Sequence, residues 1–523
     1  MTADTLWELF RRTAVSSSDV DAIVDARRGE RLDYREFHDH VCGLLGALAD
    51  RGVGRGDAFA TVLRNGLEQS AAIVGTSGLG AVLNPVNYRQ SPDAIAHVIA
   101  DSDARVVLFD EANRETVAAV RGDLDGVAAY LYAGDDPPDW ADPYDEVVAS
   151  YRGEAPPAPA LAPDDGAYLV YTSGTTGLPK GCLLTNGRLV ELVLQVLHEF
   201  RIDGDDRGLL AAPQAHAAGG IGGGTTPLFA GGTVVTLPEF HPVFALEWIE
   251  RASISYLPCV PAMLRALVNT DPGNFDTHSL ETVVSFGSPL TPDVARGVAE
   301  VFDPSYLGNH FGATEVGWIT TRNVLSDLDA ARSPGAAALN VETRVVALDD
   351  EGNAGAPDDE CEPAETGELI VDSPYGMERY LNRPEATAET VREGWYYTGD
   401  LGYLDDDGRF FPEGRKTNAI VTGGINVSDV NVERVLTEHP AVADVAVVGV
   451  PDERWGEKVT AFVVPVEDAT LNADEFRDWC EQRSDLADFQ RPKSVVLVDE
   501  LPRSATRKVQ KFKLEERLPG TST

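Results

Sequence analysis

Apolar residues recur along the first hundred positions in two alternating rhythms. Phe37, Val41, Leu44, Leu45 and Leu48 return at helical spacing, and the GVGRGD that follows stops the helix. AFATVL at 58–63 then reads as a strand and GLEQSAAIVGTSG as a helix. AVLNPV at 81–86, SPDAIAHVIADSD and RVVLF at 105–109 continue the alternation. Such an order predicts a parallel sheet covered by helices. Residues 134–165, rich in Pro, Asp and Ala, read as a long surface connection, and 349–366 as an acidic loop between the strands TRVVAL and GELIVD. From about residue 416 the pattern changes. ADVAVVGV (443–450) and KVTAFVVPV (458–466) are two neighbouring strands, and NADE places Asn472 and Glu475 as a capping box for a helix. SVVLVDE is a last strand before a basic tail. A compact α+β domain of about 100 residues is expected here, following a larger α/β part.

Length agrees with that division, since 523 residues exceed what one ordinary core holds. An apolar content of 43% is that of a globular chain. The formal net charge is −42, from 85 acidic against 43 basic residues. That surface repels phosphate backbones and anionic lipid, so nucleic acid and membrane are not expected partners. Only seven of the basic residues are lysines: 180, 416, 458, 493, 508, 511 and 513. An acidic, lysine-poor chain resembles proteins of salt-loading halophiles, where salt screens the self-repulsion. The five cysteines (42, 182, 259, 361, 480) form no CxxC, as expected of reduced thiols in a cytoplasmic protein. MTADTLWELFRRTAV lacks the apolar core of a signal peptide, and no run approaches the ~20 apolar residues of a membrane helix.

The candidate chemistry begins at YTSGTTGLPKG, residues 171–181. It is no Walker P-loop: Lys180 follows Pro179, and no Ser or Thr follows the lysine to hold magnesium. A surface turn is the simpler reading of a Gly/Ser/Thr loop taken alone. The whole string, however, resembles the phosphate loop of the adenylate-forming superfamily, which includes acyl-CoA synthetases, nonribosomal adenylation domains and luciferases. The chemistry fits: glycines let backbone N–H groups approach a polyphosphate, and hydroxyls add donors. The resemblance gives Thr172, Ser173, Gly174, Thr175, Thr176 and Gly177 to ATP, and Lys180 to the leaving pyrophosphate.

Further stretches resemble the same family in its order. APQAHAAGG (212–220) resembles the segment bearing a histidine at the acyl pocket, here His216; alone, it reads equally as a packed histidine. SFGSPL (285–290) resembles the strand and loop beneath adenine, with Gly287, Ser288 and Pro289. NHFGATE (309–315) resembles the aromatic-Gly-x-Thr-Glu station: Asn309, His310, Phe311 and Gly312 at the nucleotide, Phe311 stacking on the base, Thr314 at the α-phosphate and Glu315 holding Mg²⁺. WYYTGD (395–400) implies Asp400 as acceptor for both ribose hydroxyls. GRKTNAIVTGGIN (414–426) resembles the hinge, with Arg415 reaching the ribose. LPRSATRKVQKFKL (501–514) resembles the catalytic-lysine motif and places that role on Lys508. Gly423 and Gly424 imply a pantetheine tunnel, flanked by Trp455, for which a core position is an equal reading.

The resemblance therefore implies a fold of βαβ-built sheets with a small β-barrel-like subdomain, followed by a small α+β domain. Residues 1–414 would be the ATP and acyl domain, 415–417 the hinge and 418–523 the mobile domain. The implied reaction joins a carboxylic acid to coenzyme A with ATP and Mg²⁺ through an acyl-adenylate, with Lys508, Lys180, Thr314 and His216 as catalytic residues. Thr417, Val421, Arg507 and Asn186 depart from common family residues, and they bear chiefly on the thiol step. No acid lies within 211–226, which disfavours an amino-acid substrate. The small residues of that segment read either as room for an acyl group or as close packing. Aliphatic, aromatic and carnitine-like acids remain open, as does a homodimer. Two other functions stand beside the ligase: an adenylating enzyme that loads a separate carrier protein, and a non-catalytic nucleotide-binding protein.

Overall fold

A computed structural model of the chain describes residues 3–153, 156, 159–172, 179–349, 352–416, 420–422, 425–427, 429–452, 456–466, 471–483, 486–503 and 509–515. The chain divides into two units: Met1–Thr343 with Val371–Tyr396, and Arg344–Ile370 with Tyr397–Thr523.

Two large sheets build the first unit. One has nine strands, in the order Ala336–Ala337, Gly317–Asn323, Tyr306–Ala313, Thr282–Phe286, Tyr256–Cys259, Arg207–Leu210, Thr233–Thr236, Asp21–Asp25 and Glu30–Asp33. Its six central strands are parallel and its margins antiparallel. The other has eight strands, in the order Arg379–Tyr380, Lys180–Thr185, Gly166–Thr172, Val82–Pro85, Ala58–Val62, Ala104–Asp110, Ala129–Ala133 and Asp142–Pro143. The strands expected at 58–63, 81–86 and 105–109 lie side by side in this second sheet, parallel as predicted. Helices Pro242–Ala252, Pro261–Val268 and Pro292–Phe302 supply Leu246, Leu264 and Val298 to the core of the nine-stranded sheet.

Helix Tyr34–Asp50 forms where the apolar spacing placed it. Asp33 accepts from Glu36 N, and the Glu36 carboxylate accepts from Asp33 N, so both ends of a capping box are made. One prediction is corrected nearby. The stretch 134–165 is not connection throughout, because Tyr144–Ser150 is a helix. Tyr144 and Val148, four residues apart, are buried against the 34–50 helix, where the Tyr144 hydroxyl meets His40 Nε2 at 2.9 Å. Gly43 makes this approach close: a Cβ there would lie 2.4 Å from the Val148 carbonyl oxygen. Two buried residues in seven, beside Pro and Asp, gave too weak a rhythm to reveal a two-turn helix.

In the second unit, strand Gly367–Asp372 lies between Glu342–Val346 and Trp395–Leu404, and Phe410–Arg415 pairs antiparallel with the last of these. Beyond it, the expected strands Val442–Asp452 and Gly456–Pro465 form a long antiparallel pair, and Ile420–Thr422 and Ser494–Leu497 both pair with Gly456–Pro465. Helix Ala473–Glu481 begins where Asn472 Oδ1 accepts from Asp474 N and Glu475 N. The fold is thus the mixed α/β class expected, with a large N-terminal part and a smaller α+β part. Among the described residues no helix is long and apolar enough to cross a membrane. All five cysteines are free thiols.

Candidate active site

Ligands of parallel α/β sheets gather beyond the carboxyl ends of the strands, where backbone groups run out of partners. Several of the residues singled out in the first unit fall there. Thr172 ends strand Gly166–Thr172, and Gly287, Ser288 and Pro289 follow strand Thr282–Phe286, exposed. Gly287 has φ +83°, a left-handed turn that a side chain would strain. Thr314 and Glu315 follow strand Tyr306–Ala313, and the segment bearing His216 follows Arg207–Leu210.

Glu315 is where the two sheets' contributions meet. Its Oε1 accepts from the Thr172 hydroxyl at 3.2 Å and from the Tyr380 hydroxyl at 3.1 Å. Tyr380 is brought in by a short strand whose partner is Lys180–Thr185, with Tyr380 opposite Cys182. Lys180 begins that strand opposite Thr172, and its Nζ stands 5.4 Å from the centre of the Tyr380 ring. Burial and the Glu315 carboxylate together push the Tyr380 hydroxyl up, so it stays a donor. Cys182 is buried and its thiol is likewise pushed well up, first by burial and then by Glu315, which keeps it protonated and unfit as a nucleophile. The half-buried carboxylate with a cation nearby is suited to one hard divalent ion whose other ligands are phosphate oxygens and water. Tyr380 was not found by sequence reasoning: a tyrosine in MERYLNRPE carries no spacing signal, and only strand pairing brings it to Glu315.

The segment 211–226 is held by a buried amide. Gln214 Oε1 accepts from Gly66 N at 3.0 Å, its Nε2 donates to Ser70 Oγ at 2.8 Å, and its backbone N–H donates to Asn65 Oδ1 at 2.8 Å. His216, two residues on, is half-buried. The glycines here are consumed by packing. A Cβ at Gly219 would sit 2.2 Å from the Pro213 oxygen, and one at Gly224 would sit 1.9 Å from the Gly219 oxygen and 2.3 Å from Leu210. Of the two readings of these small residues, close packing describes Gly219 to Gly224.

Along Tyr306–Ala313 the side chains divide. Asn309 is buried and its Nδ2 donates to the Ala331 carbonyl at 2.7 Å. Phe311 and Gly312 are half-buried, and a Cβ at Gly312 would lie 2.4 Å from the Gly317 oxygen. His310 is buried among Phe200 and Trp318, 4.4 and 6.0 Å between ring centres. Burial pushes its pKa down to about 3, so folded His310 is neutral. The unfolded chain binds that proton near pH 6.5. Its contribution is therefore complete above that pH and is lost as pH falls toward 3, by about 1.4 kcal/mol per pH unit. Urea unfolding of the wild type and His310→Gln should show this difference between about pH 6 and pH 4. Parallel pH curves for the two proteins would refute it.

In the second unit, Asp400 and Arg415 face each other across adjacent strands. Arg415 Nε donates to Asp400 Oδ1 at 2.8 Å and Nη2 to Oδ2 at 3.2 Å, a two-pronged pair. Asp400 N donates to Thr398 Oγ1, and Thr398 Oγ1 donates to the Leu369 carbonyl. Glu368, buried, accepts from Gly399 N at 3.0 Å and has Lys416 Nζ at 3.6 Å. The strand segment that presents Asp400 is thus held at Gly399 by Glu368, which the sequence gave no reason to single out.

Ser173, Gly174, Thr175, Thr176, Gly177, Thr417, Gly423, Gly424, Trp455, Arg507 and Lys508 lie outside the described residues. Asn186 is fully buried at the start of helix Asn186–Glu199.

Comparison with known proteins bears on the fold and the family. A family model described as AMP-binding enzyme matches residues 10–381, and one described as AMP-binding enzyme C-terminal domain matches 431–508. A feruloyl-CoA synthase of Amycolatopsis sp is 34% identical, over 94% of this chain and 94% of its own length. A 4-chlorobenzoate–CoA ligase of Arthrobacter sp is 32% identical, over 98% of this chain and 95% of its own. The crystal structure of ATP-bound MatB from Rhodopseudomonas palustris superposes with a TM-score of 0.85 at 28% identity, covering 98% of both chains.

Proposed function

We propose, from the premise that the chain belongs to the AMP-binding enzyme family, that it joins an aromatic carboxylic acid to coenzyme A through an acyl-adenylate. The observation that carries this reading is the convergence on Glu315 of Thr172 and Tyr380, with Lys180 over the tyrosine ring. Such an arrangement suits a phosphate and a cation, and Thr172, Lys180 and Glu315 in it also carry the family resemblance. The aromatic class is favoured because relatives at 32–34% identity over nearly the whole chain are named for ferulate and 4-chlorobenzoate.

In this reading Thr172, residues 173–177 and Lys180 hold the triphosphate, and Glu315 holds a magnesium ion through carboxylate oxygen. The ion, when bound, spreads phosphate charge that would otherwise repel the incoming acid. Thr314 bonds the α-phosphate, Phe311 stacks on adenine beside Gly287, Ser288 and Pro289, and Asp400 with Arg415 takes the ribose. The acid's carboxylate oxygen attacks the α-phosphorus while the bond to pyrophosphate breaks. Lys508 brings the two anions together, and positioning supplies most of the acceleration. A thiol then gives up its proton, attacks the acyl carbon and displaces AMP. Residues 415–417 are the hinge about which 418–523 turn between the two steps, bringing Gly423 and Gly424 to the thiol.

The test is an acid panel of ferulate, 4-chlorobenzoate, indoleacetate, a straight-chain fatty acid and a carnitine-like acid. Each is incubated with ATP and magnesium in molar KCl, with and without CoA, following pyrophosphate, AMP and thioester. Aryl acids should release pyrophosphate, with thioester formed only when CoA is present. Lys508→Ala should lower that rate by about a hundredfold or more while ATP still binds. Acid-dependent pyrophosphate exchange with no response to CoA would move the reading to a carrier-protein thiol. ATP binding without turnover of any acid would sink the ligase.

A further inference from the structure

Lys511 is one of only seven lysines in a chain that otherwise uses arginine, and the mechanism above leaves it idle. Its side chain is 16% exposed, and its ammonium lies against Asp429 and at 2.5 Å from Glu433 Oε1, both on helix Asp429–Leu436. Asp429 is 2% exposed. Glu433 Oε1 also accepts from Val447 N at 2.8 Å, so the same carboxylate reaches strand Val442–Asp452. Burial opposes charge on Lys511, and the two carboxylates more than offset it. A buried cation with two partners is a costly arrangement to keep for a surface tail.

Its position explains the cost. Pro502 O accepts from Gln510 N at 2.7 Å, and Arg503 pairs with Val509 as an antiparallel bridge. Arg503 is ion-paired to Asp444. Leu501 and Leu514 are buried together with Ala446, Val448 and Phe462. Residues 504–508 are thus spanned by two positions fixed to the same domain, and Lys511 is a buried ionic tie on the outgoing side.

We infer that Lys511, through Asp429 and Glu433, is a positioning residue that sets the base of the Lys508 segment for the adenylation step. The inference rests on the function proposed above, which gives Lys508 its role. Removing the tie leaves Lys508 in the chain but relaxes its placement, and misplacement of about 1 Å costs up to a hundredfold in rate.

The experiment compares wild type, Lys511→Met, Lys511→Arg and Lys508→Ala. The substrate is whichever of ferulate, 4-chlorobenzoate and indoleacetate wild type turns over fastest. Lys511→Met should lower kcat for acid-dependent pyrophosphate release by about tenfold to a hundredfold. Its KM for ATP should stay within about twofold. Conversion of supplied acyl-adenylate and CoA to thioester should remain within about twofold, because Lys508 serves only the first step. Lys511→Arg, which keeps the charge, should recover most of the loss. Hydrogen–deuterium exchange of the peptide spanning 502–515 should quicken in Lys511→Met by about tenfold or more, whatever the substrate. If Lys511→Met does not fold, Lys511→Met with Asp429→Asn and Glu433→Gln removes the stranded charges and should show the same split. Unchanged adenylation and exchange, or equal losses in both half-reactions, would overturn the inference. An unaffected Lys508→Ala would instead overturn the function on which it rests.

Discussion

Glu315→Gln should lower acid-dependent pyrophosphate release by about a hundredfold to a thousandfold, the scale of losing one preorganised electrostatic contact to a reacting phosphate. The substitution is chosen for what it preserves. A glutamine keeps the size of the side chain, and its carbonyl oxygen can still accept from Thr172 and Tyr380. What it removes is charge. If the carboxylate holds magnesium, the variant's rate should saturate at a higher magnesium concentration, and added magnesium should restore part of the activity. Tyr380→Phe separates the two roles. It deletes one hydrogen bond to Glu315 and keeps the ring beneath Lys180, so its loss should be nearer tenfold, about what one hydrogen bond to a charged group contributes. Steady-state rates across a magnesium titration decide the matter. A Glu315→Gln enzyme with unshifted magnesium dependence, or within about threefold of wild type, would take the ion away from this residue.

That prediction was half legible in the sequence. Thr172, Lys180 and Glu315 stand in short strings with a recognisable order, and in the structure Thr172 ends one strand, Lys180 begins the next and Glu315 follows a third. Tyr380 and Glu368 stand in no such string. Tyr380 reaches Glu315 through a two-residue strand paired to Lys180–Thr185, and Glu368 reaches Gly399 across neighbouring strands. Pairings of this kind arise from register between distant segments, which no local pattern reports. The segment around His216 shows a second limit. Small residues signal that something comes close, but not what. Here the neighbours of Gly219 and Gly224 are the segment's own backbone and Leu210. A substrate pocket and a tight coil ask for the same residues. The Tyr144–Ser150 helix was hidden for a plainer reason, since two buried residues in seven make little rhythm among prolines and aspartates.

Glu68→Gln should destabilise the folded chain by about 1.5–3 kcal/mol, the scale of a hydrogen bond to a charged group. Glu68 is 3% exposed at its side chain and lies between two arginines. Arg27 Nη2 donates to both its oxygens at 2.9 and 2.8 Å, and Arg28 Nη1 donates to Oε1 at 2.7 Å. Asp25 beside it accepts from the backbone N–H groups of Arg27, Arg28 and Leu67, and Asp110 takes Arg64 Nε at 3.1 Å. Asp25 ends a strand of the nine-stranded sheet, and Asp110 ends one of the eight-stranded sheet, so this cluster fastens one sheet to the other. Removing one negative charge takes the shortest partner from Arg27, 22% exposed, which keeps Asp25 at 3.8 Å and Asp110 at 3.9 Å, and one partner from Arg28, 27% exposed, which keeps Asp145 at 2.6 Å and Glu30 at 3.3 Å. Salt separates this cluster from the rest of the chain's electrostatics. The net charge of −42 is a surface repulsion, and potassium chloride should relieve it, raising the melting temperature of wild type. Buried pairs are screened far less, so salt should raise the variant in parallel and leave the gap open. Thermal and urea unfolding at low and molar salt measure both effects. A gap below about 1 kcal/mol would mean the arginines are solvated enough to behave as surface pairs. A gap that closes in salt would mean the same, and the two sheets would then be joined by packing and by neutral hydrogen bonds such as those of Gln214 to Asn65 and Gly66.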